Sequence, residues 1–168
     1  MTVETVDYHT AGEPFRIVTG GVDRLPGRRI LDKRRYAAEH LDHLRRLLVF
    51  EPRGHADMYG CFVTEPEDDG ADLGVVFFHN AGYSTACGHG TIALVTWAIE
   101  SGRVPGPEVV VDAPSGRLPT VARDTAIHRL EIPHGRFERR IRLPGAQWEV
   151  GRSTLVNGCL LLSLTPRR

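Results

Sequence analysis

The chain has 168 residues, enough for one domain of ordinary size and short for two. Hydrophobic residues make up 41% and charged residues 25%, a globular balance that argues against a wholly disordered chain. The formal net charge of zero hides an asymmetry: residues 1–122 carry 12 basic and 17 acidic side chains, and residues 123–168 carry 9 Arg and 4 acidic ones. The Arg residues of that basic end are scattered, with Phe137 and Trp148 its only aromatics, so the basic stripe of a nucleic-acid surface is missing.

Thr2–His9 and Pro14–Thr19 are rich in β-branched residues and read as two short strands, with Ala11-Gly12-Glu13-Pro14 as turn material between them. From 31 to 49, Ala37, Leu41, Leu44 and Leu48 recur at spacings of 4, 3 and 4, which predicts a single amphipathic helix. His40 and His43 lie one turn apart on it, but no third ligand is near, and a solvated face is the better reading. The polar run Glu51–Asp57 reads as a loop that ties neighbouring loops together, and Met58–Thr64 as a strand. Leu73–His79 is almost continuously apolar, the pattern of a strand buried on both faces. Thr91–Gly102 reads as a helix with apolar residues on nearly every side, stopped by Gly102 and Pro105. Val109–Ala113, Leu118–Ala122, Leu130–Ile132, Trp148–Val150 and Cys159–Leu162 are the remaining strand candidates. A mostly β chain with one apolar helix suggests an α+β fold with strands wrapped around a central buried helix and one additional amphipathic helix.

No apolar run approaches about 18 residues, so no spanning helix is expected, and Met1–Asp7 lacks the basic start and apolar stretch of a signal peptide. Three cysteines, Cys61, Cys87 and Cys159, argue against a disulfide scaffold and for a reducing, cytoplasmic setting. Lys33 is the only lysine and falls on a polar helix, a poor Schiff-base candidate that argues against pyridoxal-phosphate chemistry.

The chemistry concentrates in Cys87-Gly88-His89-Gly90, where a polar loop meets the apolar helix. A helix N-terminus offers unpaired N–H groups and a positive dipole end, which should draw the Cys87 thiol towards thiolate. Gly88 and Gly90 lack side-chain bulk, so the backbone can approach an anion closely. The arrangement suits a thiolate acting on the carbon beside a bound carboxylate, with His89 adding a hydrogen bond. The competing readings are a small buried hydrophobe, a Cys–His nucleophile pair, and a zinc site that lacks two ligands. Cys61 and Cys159 read as core. His9 and His55 read as loop-organising hydrogen-bonders.

Taken together, His9-Thr10-Ala11-Gly12-Glu13-Pro14-Phe15-Arg16, Glu51-Pro52-Arg53-Gly54-His55-Ala56-Asp57-Met58 and Cys87-Gly88-His89-Gly90-Thr91 resemble the proline racemase family. That family also holds hydroxyproline epimerases and trans-3-hydroxy-L-proline dehydratases. The resemblance covers roughly residues 3 to 122, and the texture of 57–60 and 78–85 looks most like the dehydratase branch. It implies one half of a diaminopimelate epimerase-like fold, whose two similar halves each present a residue to one face of the substrate Cα. Cys87 matches the first of those residues. Gly88, His89 and Gly90 match the helix-end amides that hold the substrate carboxylate. It further implies a small proline-like amino acid as partner and no metal or organic cofactor. A dehydratase would lose the Cα proton to Cys87 and the 3-hydroxyl as water, leaving pyrroline-2-carboxylate. The family's second half has no counterpart here. Residues 1–122 therefore read as the N-terminal half and 123–168 as a poorly matching, Arg-rich segment of the kind a truncated or frame-shifted gene gives. Two consequences are open: a homodimer in which two half-chains face each other, or a catalytically inactive half that binds a small carboxylate.

Overall fold

The computed structural model describes residues 2–122, 148–156 and 159–166. The chain divides into two units, residues 1–132 and 133–168. The first holds strands β1 (Glu4–Thr10), β2 (Glu13–Gly20), β3 (Tyr59–Thr64), β4 (Leu73–His79), β5 (Gly82–Tyr83), β6 (Glu108–Ala113) and β7 (Gly116–Val121), and helices α1 (Ile30–His40), α2 (Asp42–Val49) and α3 (Gly88–Glu100). In the second, β8 (Trp148–Val156) and β9 (Cys159–Pro166) pair antiparallel, with a register shift between Val150 and Ser153. Both contain strand segments expected from the sequence. The expected strand at 130–132 and the Cys159 side chain lie outside the described residues.

The seven strands of the first unit form one mixed sheet in the order β1-β2-β3-β4-β6-β7, with β5 added beside β4. Two neighbours are parallel, β2 with β3 and β4 with β6, and every other pair is antiparallel. Each parallel pair needs a crossover, and the crossovers carry α1–α2 and α3. Both step along the sheet in the same direction, but they leave from strands of opposite polarity. Right-handed crossovers must then place their helices on opposite faces.

The side chains agree with that requirement. Alternate residues of a strand point to opposite faces. Phe15, Ile17, Cys61, Leu73, Val75 and Phe77 pack with α3, whereas Val18, Phe62, Val76 and Phe78 pack with α1 and α2. β4 feeds both clusters, which explains its unbroken apolar run. Phe77 and Phe78 are both fully buried. Cys61 is fully buried too, as expected of a core residue.

Two expectations need correction. The helix expected over 31–49 is two helices. Leu41 (φ −115°, ψ 10°) leaves helical geometry between them, and its N–H still bonds to Ala37 O at 2.9 Å. The apolar stripe continues across the break, with Ala37, Leu44 and Leu48 buried, so a stripe alone does not reveal a break within it. His40 and His43 consequently stand on different helices. Lys33 is buried at 3% exposure, with its ammonium donating to Glu65 O. Finally, α3 is not buried all round: Gly90, Ala93, Leu94, Val95, Trp97 and Ala98 face the core, but Ile92 is 54% exposed. Among the described residues, no helix is long and apolar enough to cross a membrane.

Candidate active site

Two structural devices bring the expected site residues together. The first is the start of α3. Cys87 is its N-cap, with extended backbone (φ −153°, ψ 103°) that turns into the helix at Gly88. The Cys87 carbonyl accepts the Thr91 N–H at 2.9 Å and the Thr91 hydroxyl at 2.8 Å, which fixes the first turn. The second device is the β1–β2 hairpin. Its two-residue turn has Ala11 at φ 52° and Gly12 at φ 90°, the left-handed pair that a tight primed hairpin turn requires. Thr10 and Glu13 pair across that turn. The Thr10 hydroxyl donates to His89 O at 3.0 Å, so the hairpin is pinned to the helix end.

The result is an open cleft of about 400 Å³, lined by Glu13, Tyr59, Ala86, Cys87, Gly88 and His89. Three of the four residues singled out from the sequence thus share one cleft. Gly90 is the exception and lies behind it. A Cβ at Gly90 would run into the Phe15 ring and come within 2.8 Å of Cys87 Sγ, whereas a Cβ at Gly88 would meet nothing within 4 Å. Of the two glycines, only Gly88 is open for a ligand to approach; Gly90 is small because Phe15 and the thiol occupy the space. His55 is loop-organising, as expected, its Nδ1 lying 2.6 Å from Ala56 O. His9 ends up on strand β1, outside the cleft lining.

His89 is wedged between aromatic edges, 5.7 Å from the Phe15 ring and 5.0 Å from that of Tyr59. Cys87 Sγ lies 3.6 Å from Nδ1 and 3.8 Å from Nε2. Such near-equal distances put the sulfur between the two nitrogens, off the hydrogen-bonding axis of either. A nucleophile–base pair needs one nitrogen aimed at the thiol. The geometry therefore favours His89 as a packed, polar wall over His89 as the base of a hydrolase dyad.

The expectation of an acidified thiol is reversed. Burial pushes the Cys87 thiol above the ordinary cysteine range, and the Glu13 carboxylate pushes in the same direction. The Gly90 N–H opposes them, although no full capping hydrogen bond is made. Desolvation of a group only 8% exposed outweighs the one nearby amide. Cys61 on β3 is held higher still by complete burial.

Sequence reasoning overlooked Glu13 and Tyr59. Glu13 lay inside a recognised motif but read as turn material, and only the register of the hairpin shows that it borders the thiol. Tyr59 read as one strand residue among several. The loop 51–57 does tie its neighbours together, through its backbone: Arg16 donates to Arg53 O at 2.6 Å, and Asn80 Nδ2 donates to His55 O at 3.0 Å.

Comparison with known proteins places this geometry in context. The family model described as proline racemase matches residues 5–134. A 3-hydroxyproline 2-epimerase from Burkholderia multivorans is 56% identical over 152 residues, covering 88% of this chain and 44% of the relative. A trans-3-hydroxy-L-proline dehydratase from Burkholderia cenocepacia is 55% identical over 119 residues, covering 68% and 36%. Among solved structures, a hydroxyproline epimerase from Agrobacterium vitis with bound trans-4-hydroxy-L-proline superimposes with a TM-score of 0.64 at 25% identity, over 73% of this chain and 38% of that one. The chain spans less than half the length of these relatives. With a matching model over most of its residues and such identities to named relatives, the chain belongs to the proline racemase family.

Proposed function

We propose that this chain supplies the Cys87 face of a hydro-lyase that removes the Cα proton of trans-3-hydroxy-L-proline without a cofactor. The observation that carries the reading is a thiol at a helix N-cap, bordering an open cleft beside the unencumbered Gly88 amide. In this reading the N–H groups of Gly88 and His89 hold the substrate carboxylate, while the Gly90 N–H faces the Cys87 thiol, and the dipole of α3 favours the carboxylate's charge. Cys87, as thiolate, takes the Cα proton and becomes a thiol. The electron pair left on Cα forms a double bond to C3 as the 3-hydroxyl departs, taking up a proton to leave as water. The enamine then tautomerises to pyrroline-2-carboxylate. The second catalytic residue belongs to the other half of the fold, a diaminopimelate epimerase-like half packed against this one. A cytoplasmic setting fits the scarcity of cysteine.

A second reading is favoured by the epimerase relative. There the carbanion is reprotonated from the opposite face and the hydroxyl stays. Both readings share the proton abstraction by Cys87. Incubating the purified chain with trans-3-hydroxy-L-proline and following pyrroline-2-carboxylate and the C2 epimer separates them. Product from the native chain and none from Cys87→Ser is the expected outcome. Equal turnover by both chains would overturn the role of Cys87. Binding of pyrrole-2-carboxylate with no turnover at any protein concentration would favour the inactive half.

A further inference from the structure

An α-amino acid carries its ammonium and carboxylate on the same carbon. A cleft that holds the carboxylate at a helix N-terminus must therefore place any group that receives the ammonium in the same small space. Among the six residues that line the Cys87 cleft, Glu13 is the only one with a charged carboxylate. Its position is set by structure. It pairs with Thr10 across the hairpin turn, and the Thr10 hydroxyl is bonded to the backbone of His89, which links the hairpin to the helix end. Several carboxylates of the unit are engaged, Asp7 with Arg16, Asp42 with Arg45, and Asp68 and Asp112 with Arg117, whereas others, such as Glu51 and Asp57, are unpaired among the described residues but lie outside the cleft lining. Among the described residues Glu13 has no such partner.

We propose that Glu13 receives the ammonium of the bound amino acid, so that the cleft selects a zwitterion over a bare carboxylate. This rests on the reading of Cys87 and the helix end as the substrate site. An ammonium placed between Glu13 and Cys87 also cancels the field that Glu13 imposes on the thiol. The ligand with the right charge pattern is thus the one that lets the thiolate form.

Calorimetry of the full chain and of Glu13→Gln with three probes tests it: L-proline, cyclopentanecarboxylate, which lacks the nitrogen, and pyrrolidine, which lacks the carboxylate. Glu13 is exposed and makes no described hydrogen bond, so the isosteric change should leave folding intact, which circular dichroism checks. The native chain should bind L-proline about tenfold more tightly than cyclopentanecarboxylate, the scale of one charge-assisted hydrogen bond. Glu13→Gln should abolish that preference, weakening L-proline binding and, with the like charge removed, binding cyclopentanecarboxylate no less tightly than the native chain. A native chain that binds the two equally, or a variant that keeps the preference, would overturn the role of Glu13 and leave the carboxylate site standing. Pyrrolidine bound by the native chain and lost in Glu13→Gln, with no binding of cyclopentanecarboxylate, would keep Glu13 and overturn the carboxylate site. Binding of none of the three overturns both.

Discussion

Substituting each glycine of the Cys87 motif by alanine separates packing from ligand access. In isolation, Gly→Ala within a helix is stabilising, by about 0.5–1 kcal/mol, because glycine loses more backbone freedom on folding. At Gly88 nothing stands within 4 Å of the new methyl, so Gly88→Ala should be neutral or stabilising by up to about 0.5 kcal/mol. At Gly90 the methyl would strike the Phe15 ring and approach Cys87 Sγ to 2.8 Å. Phe15 is fully buried and packs edge-on against Phe77 at 6.1 Å between ring centroids, so it has little room to yield. Overpacking of this kind costs about 1–3 kcal/mol. Set against the propensity gain of about 0.5–1 kcal/mol, Gly90→Ala should be destabilised by up to about 2.5 kcal/mol. Urea unfolding followed by Trp fluorescence measures both variants. Ligand binding then supplies the complementary readout: Gly88→Ala should weaken cyclopentanecarboxylate binding while keeping its stability. A Gly90→Ala chain as stable as Gly88→Ala would refute the packing account of Gly90.

Two further predictions concern ionisation. Burial and Glu13 hold the native Cys87 thiol up, so its alkylation by iodoacetamide should rise with pH through a midpoint above that of the urea-unfolded chain. The neutral thiol is the form the fold prefers, so this group's contribution to stability is complete below the unfolded pKa and is lost as pH rises through the folded one; a native midpoint at or below the unfolded midpoint would reverse the argument. Asp112 is the opposite case: 3% exposed, it accepts from Arg117 Nε and the Glu67 N–H, each at 2.8 Å, and both interactions hold its carboxyl below the ordinary range. Its contribution is present above the unfolded pKa of about 3.9 and is lost as pH falls through the lowered folded value. Asp112→Asn should cost about 1.5–3 kcal/mol at neutral pH and flatten the loss of stability on acidification, both read from urea unfolding.

Local patterns in the sequence located most strands, because each is short, apolar and bounded by turn residues. They also located Cys87 at a helix start, since loop polarity gives way there to an apolar run. What they could not deliver depends on contacts far apart in the chain. Nothing in the polar sequence around Lys33 shows that β3 and the loop after it bring Glu65 to its ammonium. The break at Leu41 is invisible to a stripe that resumes on the next helix. The thiol's ionisation was misjudged for the same reason: the helix end that lowers it is local, but the burial and the Glu13 charge that raise it come from the sheet and the hairpin. Glu13 itself carried no signal beyond its motif, because its neighbours in sequence say nothing of the helix it faces.

The charges at the cleft bear on how a raised thiol pKa fits a thiolate mechanism. A thiolate, the Glu13 carboxylate and a bound carboxylate would place three negative charges in one small space. The end of α3 offsets them with about half a positive charge. A bare carboxylate ligand therefore makes the thiolate harder to form. An amino acid brings its own ammonium, which neutralises one of the three and sits beside the Cα that must lose its proton. Under the proposed role of Glu13, a zwitterionic ligand offsets the same burial and charge that push the Cys87 thiol up. Under that proposal, a buried N-cap cysteine and one carboxylate delivered by a hairpin turn together favour a ligand that carries its own positive charge.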